Sequence, residues 1–467
     1  MNYPSSMFFL RRSHLPLALL GSLFAITGCT MIPPYQRPDA PVADTFPAGV
    51  KISGGAGTAG ISWRTFATDA RLRKLIELAL ANNRDLRVAM LNVERSRAQF
   101  NIERADRFPQ INAEGGFRRQ GTGDRTTNLW SATVASTAYE IDLFGRVHSL
   151  NVQALEQYFA AEEGRRSAQI TLVAQVATQY NTLRQAQEQL ELARQTLAAV
   201  EESYKLNKIT REAGSTSELD LRSSEAQVQT ARINILTYER LVAQARNGLV
   251  LLVGQPLPAG VPGVGASGTR RVLADVPAGL PSDLLQRRPD ILQAEHLLLA
   301  ANANIGAARA ACFPSITLSA SAGGTSAELR KLFGNSSGVW SFAPQVNVPI
   351  FTGGRNRANV EVAEVNARIE VANYEKTIQT AFREVADALV ARPSYRQQIE
   401  AQQALVKAQQ RRYELASERY REGEELYLNV LTAQQDFYSA QQGLIQARFD
   451  SEANDITLYQ ALGGGWK

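Results

Sequence analysis

The 467-residue sequence is poor in the residues from which reactive sites are usually built. Two Cys and three His are too few for a zinc cluster or a disulfide framework. Aromatic residues make up only 7% of the chain, which does not suit a compact enzyme core. Basic residues outnumber acidic ones by 50 to 45 and are dispersed, so no nucleic-acid partner is expected. The apolar stretch Leu15 to Ile26 is 12 residues long. That falls short of the ~20 residues a membrane-spanning helix needs. Gly353-Gly354-Arg355 is only a short turn signal, and no nucleophile–base pair or metal cluster stands out. An enzyme, a cofactor and a metal site are therefore not expected. What is present is 44% hydrophobic and 20% charged residues with abundant Ala and Gln. That mixture excludes a disordered chain and favours long helices.

Arg11 and Arg12 before the short apolar stretch fit a signal peptide. The stretch ends in Ile26-Thr27-Gly28-Cys29, which resembles the lipobox of bacterial lipoproteins. Cys29 would then carry acyl chains such as palmitate and become the new N-terminus. The alternative is an ordinary signal peptide with an incidental Cys. Thr30, rather than Asp, follows Cys29, and the resemblance then implies delivery to the outer membrane. Loss of residues 1–28 removes two Arg and no acid, lowering the net charge from +5 to +3. Cys312 is then the remaining thiol without a partner, and a buried inert residue is expected there. Pro33, Pro34, Pro38, Pro41 and Pro47 oppose helix and predict an extended arm over residues 29–68.

An internal repeat organises the rest. Asn83-Arg84-Asp85-Leu86 matches Arg288-Pro289-Asp290-Ile291, and Phe108-Pro109-Gln110-Ile111 matches Phe313-Pro314-Ser315-Ile316, both at an offset of 205. Further on, Gly145, Tyr204, Gly214 and Gly254 match Gly354, Tyr413, Gly423 and Gly463 at an offset of 209. The change requires a four-residue insertion between the two sections. The expected organisation is a signal peptide at 1–28, the arm at 29–68, repeats at 69–254 and 282–467, and a Pro/Gly-rich linker at 255–281.

Each repeat predicts a helix, two strands, a long helix, a turn and a second long helix. In the first, helical spacing covers Leu72 to Ala81 and Asp85 to Arg107. A run from Arg146 to about Thr210 would be ~97 Å long if unbroken. A turn at Ala213-Gly214-Ser215 leads into Glu218 to Val253. In the second, Asn356 to Tyr420 is expected to be interrupted near Pro393, with a return from Glu425 to Leu462. Val371, Tyr374, Ile378, Phe382, Val385 and Leu389 form a coiled-coil-like seam. Helices of this length must pack side by side, including with other copies.

Ile316, Leu318, Ala320 and Ala322 alternate with Ser315, Thr317, Ser319 and Ser321. Trp340, Phe342, Val346, Val348 and Ile350 alternate with Ser341, Gln345 and Asn347. Ile111, Ala113 and Phe117 stand against Asn112, Glu114 and Arg118. Between Leu129 and Asp142, Trp130, Ala132 and Val134 are in phase, but Tyr139 and Ile141 need a bulge to rejoin them. Period-two alternation fits a transmembrane β-barrel, and equally a half-buried soluble sheet. Trp130 and Trp340 fit a membrane interface or ordinary packing. Four strands cannot close a barrel, so several chains must share one; strand number alone allows two or three.

The most specific stretch runs from Leu284-Leu285-Gln286-Arg287-Arg288-Pro289-Asp290-Ile291 through Ala307-Ala308-Arg309-Ala310 to Phe313-Pro314. Asp142-Leu143-Phe144-Gly145-Arg146 and Ala461-Leu462-Gly463-Gly464-Gly465-Trp466 accompany it. With these residues the chain resembles the outer membrane factor family, TolC/OprM-like efflux lipoproteins of the NodT type, along essentially its whole mature length. The resemblance implies a mainly α fold with a small membrane β-barrel portion. It implies a homotrimer whose ~12 shared strands cross the outer membrane and whose helices form a periplasmic α-barrel. It implies outward passage of small toxic compounds, and hence multidrug resistance. The implied partners are outer-membrane lipid, a periplasmic adaptor (membrane fusion protein) and an inner-membrane RND-type transporter. The same fold in an ABC-type protein secretion system is the alternative.

By the same resemblance, the turns at Gly214, Ser215 and Gly423 form adaptor-contacting tips. Arg419 and Tyr420 fall on gate hydrogen-bonding positions, Leu428 on an apolar constriction, and Asn429 and Thr432 where relatives often place acidic rings. The plainer reading of these five is solvated coiled-coil positions. The Asn and Thr depart from the family pattern and imply a less negative constriction, with Glu424 and Glu425 close enough to compensate in part.

Overall fold

The computed structural model describes residues 30–43, 62–258, 273–274 and 287–464. The expected signal peptide, Cys29, much of the 255–281 linker, Leu284 to Gln286, Gly465 and Trp466 lie outside the described residues. The elements in chain order are α1 (Trp63–Phe66), α2 (Ala70–Asn82), α3 (Arg84–Ala105), β1 (Asn112–Thr122) and β2 (Arg125–Ile141). There follow α4 (Arg146–Glu212), α5 (Glu218–Val253), α6 (Pro289–Ala310) and β3 (Ser315–Ser326). A 3-10 turn (Leu329–Lys331), β4 (Gly338–Asn347), α7 (Arg355–Arg421) and α8 (Tyr427–Ala461) complete the order.

Helix bounds recur at the sequence offsets. α3 and α6 begin and end 205 residues apart, and α4 and α7 begin and end 209 apart. The offset changes inside the sheet: Gly123-Asp124 turns β1 into β2, whereas residues 327–337 join β3 to β4. The chain divides into two compact units that cut across the repeats. Unit 1 takes Arg95–Phe159, His296–Ala372 and the arm through Arg37; unit 2 takes Pro38–Glu94, Ala160–Glu295 and Asn373–Lys467.

Unit 2 holds the main core. In α2, Leu72, Leu75, Ile76 and Ala79 recur at helical spacing and are buried. Asp69 caps this helix by accepting from the Arg71 N–H, and it also accepts from the Tyr180 hydroxyl at 2.9 Å. Phe66 stacks on Tyr459 at 3.9 Å. The α7 seam is buried at Tyr374, Ile378, Val385 and Leu389, and half-buried at Val371 and Phe382.

The repeat is also energetic. Asn83 caps α3 by accepting from the Leu86 N–H, while its amide donates to the Leu252 carbonyl at the end of α5. Its repeat mate Arg288 donates to the Ala461 carbonyl at the end of α8, and to Asp290 and Glu384. Asn83 and Arg288 thus each close the last turn of a return helix, satisfying carbonyls that a helix end leaves open.

Three expectations are corrected. α7 is not interrupted at Pro393. The prolyl nitrogen forfeits one bond to the Leu389 carbonyl, but helix continues on both sides. Buried Leu389, an ion pair from Arg392 to Asp455 and a bond from Asn454 to the Ala388 carbonyl brace the turn. Val348 and Ile350 lie beyond β4, which ends at Asn347 opposite Ser315, the first residue of its partner β3. Cys312 is exposed rather than buried, since it falls in the turn that ends α6.

Candidate functional site

The four strands form one antiparallel sheet in the order β1-β2-β3-β4. Cross-strand partners point to the same face, so the register sorts the side chains. Phe117 pairs with Trp130, Ala322 with Val134 and Trp340, Ala320 with Phe342, and Ile316 with Ile141 and Val346. All share one face. Glu114, Arg118, Ser131, Thr133, Thr317, Ser319, Ser321, Ser341 and Gln345 share the other, joined by the apolar Leu129, Ala343 and Val339.

The out-of-phase pair in β2 is brought into line by a bulge. The register shifts between Ser136 and Tyr139, Ala138 takes φ 55°, and its N–H donates to Ser319 Oγ at 3.0 Å. Tyr139 and Ile141 thereby join the apolar face opposite Leu318 and Ile316. Trp130 is half-buried against Phe117, with ring centroids 4.3 Å apart, and Trp340 is 81% exposed. Among the described residues, β1 pairs only with β2 and β4 only with β3, leaving two open edges. No helix among the described residues is long and apolar enough to cross a membrane.

At the other candidate site, in unit 2, the two hairpin turns have the same geometry. Gly214 (φ 82°) donates to the Arg211 carbonyl, and Ser215 to that of Thr210. Gly423 (φ 81°) donates to the Tyr420 carbonyl, and Glu424 to that of Arg419. This paired bonding closes a helix with a left-handed residue, where Gly carries no Cβ penalty. The starts of the return helices differ. Ser217 accepts from the Asp220 N–H and donates to its carboxylate, whereas Leu426 caps α8 without a side-chain bond.

The hairpins are tied to each other by side chains. The Tyr420 hydroxyl donates to Asn207 Oδ1 at 2.9 Å, and its ring lies 5.4 Å from that of Tyr427. Burial pushes the Tyr427 phenol up to about 12, with Ser224 and Asn207 pulling the other way. Burial also raises Tyr420, opposed by a bond to Thr216 and assisted by nearby Asp220. Asn207 is fully buried and is a partner that sequence reasoning missed. Its signal is spacing: buried Ala186, Ala193, Val200 and Asn207 recur every seven residues along α4. A polar residue at a seam position tends to specify a particular partner and register.

The remaining expected residues stay within their own tip. Arg419 Nε lies 3.8 Å from Glu425 Oε2. Asn429 donates to Glu425 Oε1 at 2.6 Å, and that bond, with one from the Leu426 N–H, holds the Glu425 carboxyl below its usual range. Thr432 donates to the Leu428 carbonyl at 2.9 Å, and Leu428 is exposed. Asn429 therefore sits beside a carboxylate supplied by Glu425. Leu428 matches exposed Leu219 and Asn429 matches Asp220 at the 209 offset, so the position that is Asn in the second tip carries an acid in the first.

A four-stranded sheet with one apolar face, together with long helical hairpins, is the pattern of a membrane channel subunit. The outer membrane efflux protein family model matches residues 75–255 and 280–464. The chain belongs to this family of outer-membrane transport channels. It is 48% identical over 462 residues to the toluene efflux pump outer membrane protein TtgC of Pseudomonas putida, covering 96% of this chain and 95% of TtgC. It is 40% identical over 449 residues to the cation efflux system protein CusC of Escherichia coli, covering 95% of this chain and 97% of CusC. The open-state crystal structure of the MtrE outer membrane channel of Neisseria gonorrhoeae superposes with a TM-score of 0.86 at 38% identity. That match covers 94% of this chain and 99% of MtrE.

Proposed function

We propose that three copies of this chain share one barrel of ~12 strands, with the apolar face towards lipid and the polar face towards a pore. The observation that carries this reading is the apolar-faced sheet with open edges at β1 and β4. An unpaired strand edge in hydrocarbon leaves backbone groups that nothing can satisfy, so each edge must pair with another copy. Trp130 and Trp340 sit at the membrane interface. The helical hairpins extend into the periplasm and end at Gly214, Ser215 and Gly423, which meet a periplasmic adaptor joined to an RND-type transporter. Cargo is small toxic compounds. Cys29 carries the lipid anchor.

The gate in this reading is the tie between hairpins, Tyr420 to Asn207 with Tyr427 packed against it. Arg419, Leu428, Asn429 and Thr432 shape the neighbouring constriction. Native mass spectrometry of the purified protein should give the mass of three chains; a monomer or dimer would overturn the shared barrel. A photo-crosslinker at Ser215 in living cells should capture the adaptor of an RND-type pump. Capture of an ABC secretion adaptor would overturn the cargo assignment and leave the fold intact.

A further inference from the structure

The end of the sheet away from the helices of unit 1 carries cations and exposed apolar groups that the channel reading does not use. The connection between β3 and β4 contains the turn Leu329–Lys331. Glu328 accepts from Arg330 Nε at 2.8 Å and from Lys331 Nζ at 2.6 Å. One carboxylate thus holds two exposed cations on a single turn and leaves a net positive charge. Leu332 is buried and roots the turn, yet Phe333 beside it is 86% exposed and Leu329 is exposed as well. Such side chains on a rooted turn serve no core among the described residues, and they mark a surface that meets something else.

A second observation comes from the register. Arg119 in β1 is on the apolar face, one step outward of the Phe117–Trp130 pair and opposite Asn128. It is exposed and has no ion-pair partner among the described residues. Along the apolar face, moving outward, come aliphatic residues, then Trp340 level with Val134, then the Phe117–Trp130 pair and Arg119, with Arg330 and Lys331 on the connection beyond the end of β3. A bilayer has the same order: acyl chains, interface, charged headgroups.

We propose that Arg119, Arg330 and Lys331, with Phe333 as an apolar anchor, form a binding surface for the phosphorylated headgroups of outward-facing lipid. The cations supply charge complementary to phosphate, and arginine adds a bidentate fork suited to its oxygens. Phe333 enters the adjoining apolar zone and fixes the turn at headgroup depth. The proposal rests on the reading of this sheet as the membrane-crossing wall.

The test uses the purified full chain in nanodiscs of phosphatidylcholine containing a minor fraction of diphosphorylated lipid A. The lipid retained per channel after washing is measured by mass spectrometry. The expected result is retention by the native protein, little retention of dephosphorylated lipid A, and release at high salt. The R119Q/R330Q/K331Q variant should retain at least about tenfold less, with unchanged single-channel conductance showing an intact barrel. Equal retention of phosphorylated and dephosphorylated lipid by the native protein would overturn the proposal. So would equal retention by native protein and variant. If the variant fails to assemble, the comparison of the two lipids on the native protein still decides. A native protein that inserts no channel would instead refute the membrane-wall reading.

Discussion

At the scale of single residues, the proposed gate rests on a few atoms at the tips. Tyr420→Phe removes the hydroxyl that donates to Asn207. A net hydrogen bond of about 1 kcal/mol should raise the open fraction of single channels about fivefold, and Asn207→Ala should act in the same direction. Unchanged conductance traces in both variants would remove this pair from the gate. Tyr427 gives a pH signature. Its phenol is held protonated up to about 12 in the fold, against about 10 in an unfolded chain. The folded state binds that proton more tightly, so the contribution is complete below about 10. It is lost as pH rises towards about 12. Absorbance titration of tyrosinate should show a late-ionising component missing in Tyr427→Phe. Neither Asn207 nor the role of Tyr427 was legible in the sequence. Asn in a long polar helix reads as a surface residue, and only its seven-residue spacing from Val200 sets it apart.

At the scale of elements, much was legible because long helices carry many repeats of one signal. α5 begins and ends where caps and spacing place it, at Glu218 and Val253. The paired turns at Gly214 and Gly423 follow from residues with no Cβ at left-handed positions. Pro393 misleads because a single lost bond is a strong local signal but a small part of a helix braced from two sides. The need for a bulge could be read from the phase of Tyr139 and Ile141, but its location could not, since it lies on Ala138, a residue with no left-handed preference. Ala138→Gly should therefore stabilise the protein by about 1 kcal/mol. Ser319→Ala should destabilise it by about 1 kcal/mol, both read from the thermal midpoint in detergent. The repeat-related latches differ in charge. Asn83→Ala loses neutral bonds at about 1 kcal/mol each. Arg288→Ala removes charge-assisted bonds to Glu384 and Asp290 and the bond to the Ala461 carbonyl, and should cost about 3 kcal/mol. Equal midpoints for these two variants would contradict the assignment.

At the scale of the whole molecule, open strand edges were implied by simple counting of strands, whereas the division into units that cross the repeats was not. The sequence pattern marks which segments are alike, not which segments pack together. The arm shows the difference. Extended chain was expected from its prolines, but its seat was not, because it depends on an absent side chain far along the sequence. Asn302 donates to the Pro33 carbonyl, and a Cβ on Gly306 would come within 2.7 Å of Ile32 and of Ser149 Oγ. Gly306→Val should therefore unseat the arm and expose it to limited proteolysis, with the native arm resistant under the same digestion.

That seat sets the length of a leash. Moving backwards from Pro33 to Ile32, the arm advances along α6 by one turn towards β3. Ile32 is three chain steps from Cys29, with only Thr30 and Met31 between them. Fully extended, these steps reach about 10 Å. An acyl anchor on Cys29 would thus be moored close to its seat rather than trailing on a long tether. Membrane attachment would then fix the height of α6 relative to the lipid surface, and a variant that frees the arm would lengthen the mooring without altering a single residue of the pore.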